Sequence, residues 1–179
     1  MMATGVGVVE KIITFFFLFP SAFMAALSAL VAQNIGAGKL ERAKSMLRYS
    51  LIITIFFGTV CFVLCQLIPN QLVSLFTDEK EVILYGGEYL RTYALDCVFA
   101  AIHFCLGGYF CGSKHSEIPF IHSVISVVCI RIPGAYFATI LFPQTLLPMG
   151  LVAPIGSLLS AFICICFYKR IKKQAVILT

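Results

Sequence analysis

Polar and apolar positions in this chain are segregated into long blocks. Five apolar runs stand out, from about Ile12 to Ala32, Tyr49 to Ile68, Tyr89 to Phe110, Pro119 to Phe142 and Met149 to Tyr168. The hydrocarbon core of a bilayer is ~30 Å thick, and ~20 apolar residues in a helix cross it. Lipid offers no partner to a free backbone amide or carbonyl, so a crossing segment satisfies its backbone internally. None of the runs alternates polar and apolar residues as a barrel strand would. The pattern therefore predicts five transmembrane helices.

Composition supports this reading. Of 179 residues, 60% are hydrophobic and only 12% are charged. A soluble domain is roughly half apolar and a quarter charged, and a chain of this length cannot hide such an excess in one core. The formal net charge of +5 is confined to connections and ends, with no basic stripe of the kind that binds nucleic acid. The N-terminal stretch lacks the basic start of a cleaved signal peptide. The eight cysteines lie inside apolar runs, without Cys-x-x-Cys or His-containing zinc spacing, and read as small buried hydrophobes.

The charges also orient the chain. Lys39, Arg42, Lys44 and Arg48 follow the first run, Lys114 follows the third, and Lys169, Arg170, Lys172 and Lys173 follow the fifth. The alternate connections are acidic (Asp78, Glu79, Glu81 and Glu88) or uncharged (Pro143 to Pro148). Basic connections face the cytoplasm. The C-terminus is then cytoplasmic and the N-terminus outside. Pro69 to Glu88 reads as a solvated external loop with a short interfacial helix.

A few residues break the apolar runs. An ionisable group inside a span costs about 2.5–3.5 kcal/mol, so it faces the bundle interior or water. Asp96 lies about two turns into the third run, and His103 lies seven residues on, ~10 Å along the same helix face. Together they form a candidate cation-coupling pair; the alternative for Asp96 is hydration near the outer headgroups. Arg131 is midway along the fourth run and needs a buried anionic or carbonyl partner, with Asp96 and Glu10 as candidates. Pro133 frees the carbonyl of Cys129, so a kink is expected beside Arg131. Pro20 does the same to Phe16 in the first run. Glu10 and Lys11 are expected to pair with each other at the outer interface. Gly108 and Gly112 have the G-x-x-x-G spacing of close helix contacts. No nucleophile elbow, phosphate loop, zinc helix or dinucleotide fingerprint occurs, and no enzyme activity is expected.

The amide pair Gln33-Asn34, followed by Gly36 and Gly38, marks the end of the first run. In ALSALVAQNIGAGKLERAK this segment resembles the close of the eighth helix in the multidrug and toxic compound extrusion (MATE) family. EKIITFFFLFP and EYLRTYAL resemble the starts of its eighth and tenth helices, RIPGAYF resembles the eleventh, and MGLVAPIGSLLSA is similar to the twelfth. The family's members are twelve-helix antiporters of two six-helix bundles, which export organic cations and other toxic compounds against inward proton or sodium flow.

The resemblance implies an all-α membrane protein in the plasma membrane, whose five helices form most of the C-terminal bundle. It implies small-molecule substrates, a bilayer and an N-terminal lobe as partners. No cofactor is implied beyond the coupling ion, a proton or Na⁺. The family's tenth-helix carboxylate falls nearer Ala100, one turn from Asp96. Gln33 and Asn34 would cap the helix at the cytoplasmic mouth. Three alternatives remain open: a lipid-linked sugar exporter of the related superfamily, an intramembrane enzyme using His103, His122 and Asp96, and a non-functional truncated product.

Overall fold

The structure is a computed structural model and describes residues 2–142 and 145–177. Pro143 and Gln144, in the uncharged connection, lie outside the described residues, and the side chains of Lys172 and Lys173 lie outside the described side chains. All regular secondary structure among the described residues is helical, with no strand. The helices are α1 (Met2–Gly36), α2 (Leu40–Leu67), α3 (Pro69–Ser74), α4 (Lys80–Tyr93), α5 (Asp96–Gly112), α6 (Glu117–Ser126), α7 (Ile132–Leu141) and α8 (Leu147–Ile177). A π-helical turn, Val127–Arg131, joins α6 to α7. Four segments are long and apolar enough to cross a bilayer: α1, α2, Glu117–Leu141 and Leu147–Ile171. The pair α4 and α5 makes a fifth across a 45° bend. The expected all-α membrane class is borne out.

Several helix boundaries differ from the sequence reading, and α8 runs nine residues past Tyr168. α1 begins ten residues before Ile12, because Gly5, Val9, Ile12 and Ile13 bury one continuous stripe. α2 begins nine residues before Tyr49, because Ala43 and Leu47 carry a buried face through the basic segment. The largest correction is at Pro69 to Glu88, read as an external loop. Most of it is helix, and Val82, Gly86, Tyr89, Leu90 and Tyr93 are buried at helical spacing. The expected single third span is thus broken. At Ala94-Leu95 the amides of Cys97 and Val98 bond three residues back, to Ala94 and Leu95, and the chain turns.

α5 is the axis of the bundle, packed against α1, α2 and α8, while α4 lies between α1 and α8. The glycine pair works as its spacing predicts. A Cβ on Gly108 would lie 2.6 Å from the Met24 carbonyl oxygen, and one on Gly112 would lie 2.5 Å from that of Ser28. Met24 and Ser28 are one turn apart on α1, so the two backbones touch along two turns. Outward-facing residues such as Phe15, Phe56, Leu67 and Phe120 are 70–72% exposed, the apolar exterior expected of helices that cross a bilayer. Cys61, Cys65, Cys97, Cys105 and Cys164 are buried free thiols, Cys111 is half-buried, and Cys129 and Cys166 are exposed.

The turn after α1 is closed by backbone. Lys39 N–H donates to Asn34 O at 2.8 Å, Gly38 N–H donates to Ile35 O at 2.9 Å, and Gly38 has φ +70°. This is a Schellman cap, in which a left-handed residue lets the chain satisfy orphan carbonyls. The expected side-chain cap is corrected. Asn34 Nδ2 folds back to Leu30 O at 2.8 Å, and Gln33 contributes its carbonyl to Ala37 N–H. Gly36 is helical with open space around it. Gly38→Ala should therefore destabilise the cap by about 1–2 kcal/mol, the left-handed penalty of an L-residue. Gly36→Ala should be neutral or slightly stabilising, and unfolding midpoints in a detergent titration compare the two.

Candidate functional site

The π turn shapes this region. Pro133 has no amide hydrogen and leaves the Cys129 carbonyl without its helical donor. The wider turn accommodates the loss, with Ile132 N–H bonding Val127 O five residues back. Arg131 ends this turn and leans over α8. Gly156 makes room there: a Cβ on it would lie 2.8 Å from Ser126 Oγ and 3.3 Å from Arg131 Cγ. Ser126 Oγ donates to Gly156 O at 2.8 Å, locking the two helices together.

The bend before α5 brings in the other partner. Asp96 is the first residue of α5, at the positive end of the helix dipole. Its side chain is wholly buried, and Arg131 Nη2 lies 3.5 Å from Oδ2. The same Nη2 donates to Ser157 Oγ at 3.3 Å. Among the described residues neither carboxylate oxygen finds a hydrogen-bond partner of good geometry. Asp96 is thus a buried carboxylate held by one long ion pair and a helix end. Such a group gains strongly from any cation that can reach it.

Arg131 also lines a cleft of about 180 Å³ with Glu10, Tyr89, Tyr93, Met149 and Val152. Tyr89 Oη donates to Glu10 Oε1 at 3.1 Å, and the rings of Tyr89 and Tyr93 are 5.4 Å apart. The expected Glu10–Lys11 pair is corrected. Glu10 is on a helix, turned to Tyr89 and the cleft, because α1 starts early enough to bring it there. The cleft shares Met149 with a larger, mostly apolar one of about 330 Å³, bordered by Met2, Val6, Phe142 and Leu146.

The other candidates separate. His103 pairs with His122 on α6, ring centroids 5.5 Å apart, and stacks on Phe104. Neither histidine is among Asp96's polar partners, so the three groups of the enzyme alternative do not form one site. Among the described residues no cluster of His, Cys, Asp or Glu is arranged to hold a metal. Pro20 is buried within α1, which continues through it. Gln33, Asn34, Gly36 and Gly38 lie in the turn that joins α1 to α2, outside the cleft.

Sequence reasoning missed Tyr89, Gly156 and Ser157, and misplaced Glu10. The run Gly156-Ser157 with Ser160 was a usable signal: a small, polar strip on one face of an otherwise apolar span marks a buried neighbour. Tyr89 carried no signal, since a tyrosine at the start of an apolar run also reads as an interface anchor.

The sequence profile of the MatE family matches residues 3–137. The chain belongs to that family. It is 26% identical over 161 residues to multidrug and toxin extrusion protein 1 of Homo sapiens, covering 90% of this chain and 28% of that one. It is 26% identical over 132 residues to the probable multidrug resistance protein NorM of Thermotoga maritima, covering 73% of this chain and 28% of the relative. Two solved structures share the fold. One is an inward-facing multidrug resistance MATE family transporter of the MOP superfamily, with TM-score 0.81 and 16% identity, over 96% of this chain and 39% of that one. The other is the eukaryotic MATE transporter AtDTX14, with TM-score 0.78 and 24% identity, over 99% and 38%. This MatE chain thus spans about 28% of the length of these curated relatives. It is a multi-pass membrane protein of a transporter family, as the residues around Gln33 and Arg131 suggested.

Proposed function

We propose that this chain is most of the C-terminal lobe of a cation-coupled antiporter, which exports organic cations by alternating access against a second lobe. It lies in the plasma membrane with its C-terminus cytoplasmic, as its basic connections predict. The coupling ion is a proton or Na⁺, with no other cofactor. The relatives named for multidrug extrusion support the class, and the Asp96–Arg131 pair beside a cleft lined by Glu10 and two tyrosines carries the mechanism.

Glu10 offers a carboxylate to an organic cation, and Tyr89 and Tyr93 offer ring faces that attract the same charge. The adjoining apolar cleft accepts the hydrophobic body. Arg131 sets the alternation. With Asp96 ionised, the guanidinium is held over α8 by Asp96 and Ser157. Arg131 already borders the cleft in this arrangement, and a proton or Na⁺ at Asp96 cancels the attraction and lets the guanidinium swing further into it. There it repels an organic cation resting on Glu10. Coupling ion and substrate thus favour opposite arrangements of one side chain, which is what exchange requires.

In the complete transporter, Glu10→Gln should raise the half-saturation concentration for an organic cation such as tetraphenylphosphonium about tenfold, the loss of one charge contact partly open to water. Efflux assays in cells stripped of their own pumps measure it. Unchanged half-saturation would remove Glu10 from the substrate site.

A further inference from the structure

A second groove lies far from Arg131, between α2, α5 and α8, with a volume of about 310 Å³. Its floor is apolar, built from Leu47, Leu51 and Ile55 on one wall, Ile102 and Leu106 at the base and Ile165 opposite. Lys44 and Arg48, one turn apart on α2, line one end together with Tyr168 of α8. Lys44 is tied to Glu41 at 2.6 Å, and Arg48 has no ion pair among the described residues.

The dimensions are informative. From Lys44 to Ile55 the groove follows eleven residues of helix, ~16 Å of rise. One leaflet of a bilayer has a hydrocarbon depth of ~15 Å, half of the core. The cations sit where the first helix pair turns back, next to Lys39 and Arg42, and the last helix brings Lys169 and Arg170 to the same end of the bundle. The groove thus runs from a basic membrane edge towards the bilayer midplane, apolar along its length and cationic only at its rim.

We propose that this groove binds one anionic phospholipid, with its phosphate between Lys44 and Arg48 and one acyl chain along Leu47, Leu51 and Ile55. Charge complementarity selects the occupant. A zwitterionic lipid offers the same tail but carries a compensating ammonium, and a soluble anion fails to fill the apolar trough. The site is independent of the transport cleft, so it stands or falls apart from the proposed function.

Native mass spectrometry of the full chain in detergent micelles tests this, using phosphatidylglycerol and phosphatidylcholine of identical acyl chains. Phosphatidylglycerol should be retained about thirtyfold more strongly, the combined effect of two basic residues at a membrane surface. Lys44→Ala with Arg48→Ala should erase that preference, and Lys39→Ala with Arg42→Ala should leave most of it. Leu51→Trp, or Ile165→Trp if the first variant loses helicity, should fill the trough and weaken retention of both lipids. Equal retention of the two lipids by the unaltered chain would overturn the proposal. So would a preference that survives loss of Lys44 and Arg48, or one that depends as much on Lys39 and Arg42.

Discussion

Asp96→Asn in the complete transporter is expected to reduce ion-coupled efflux to background while leaving expression and fold near normal. The substitution keeps the size of a side chain that is wholly buried. Among the described residues it removes the only negative charge within ion-pairing distance of Arg131. Without that charge no coupling cation is attracted to the head of α5, and Arg131 is free towards the cleft whatever the ion gradient. Arg131→Ala gives the contrasting failure. It leaves a buried carboxylate with neither ion pair nor hydrogen bond, and removing one partner of a buried pair destabilises by about 3 kcal/mol, the low end of such effects because Arg131 is partly open. Combining Asp96→Asn with Arg131→Gln should recover most of that stability, since the two losses belong to one interaction. Efflux rates separate the first variant from the parent, and unfolding midpoints separate the second from the double variant.

Gly112→Leu is expected to prevent the bundle from assembling. Even a Cβ at that position would lie 2.5 Å from the Ser28 carbonyl oxygen and 2.8 Å from Val31 Cβ, and both belong to the helix with which α5 shares its closest seam. Backbone cannot move aside as a flexible side chain can. Overpacking by several atoms therefore pushes α1 and α5 apart and costs about 3 kcal/mol or more. Gly107→Ala is the control. Its nearest contacts would be the end of Met24 at 3.4 Å and Pro119 at 3.8 Å, ordinary van der Waals distances. Folded yield in detergent should collapse for the leucine variant and hold for the alanine one.

Much of this molecule was legible because lipid enforces simple rules. Apolar runs of bilayer length had to be helices, and Gly108-x-x-x-Gly112 had to be a contact. Arg131 in mid-span had to find a partner, and Asp96 was one of the two candidates. Less legible was whatever depended on a face rather than a run. VILYGGE, with its glycines and a glutamate, looked like a loop, yet Val82 and Gly86 continue at helical spacing into Tyr89 and Tyr93 and bury α4 against α1 and α8. The bend at Ala94-Leu95 has no proline to announce it. Glu10 was read from its neighbour Lys11, whereas its partner Tyr89 is 79 residues away and reaches it only because α4 folds back on α1. His103 shares a helix with Asp96 at a spacing that suggested cooperation, but its actual neighbour is set by α6. Spacing along one helix gives direction, and the partner comes from the helix that packs there.

In the proposed mechanism, a cation at Asp96 and an organic cation in the cleft exclude one another. Proteoliposomes holding the complete transporter test it, with a proton- or Na⁺-sensitive dye inside and tetraphenylphosphonium added outside. Organic cation entering should drive the coupling ion out in the unaltered protein, and Asp96→Asn should abolish the ion movement. Coupled ion movement that persists in Asp96→Asn, or that runs in the same direction as the organic cation, would contradict the account.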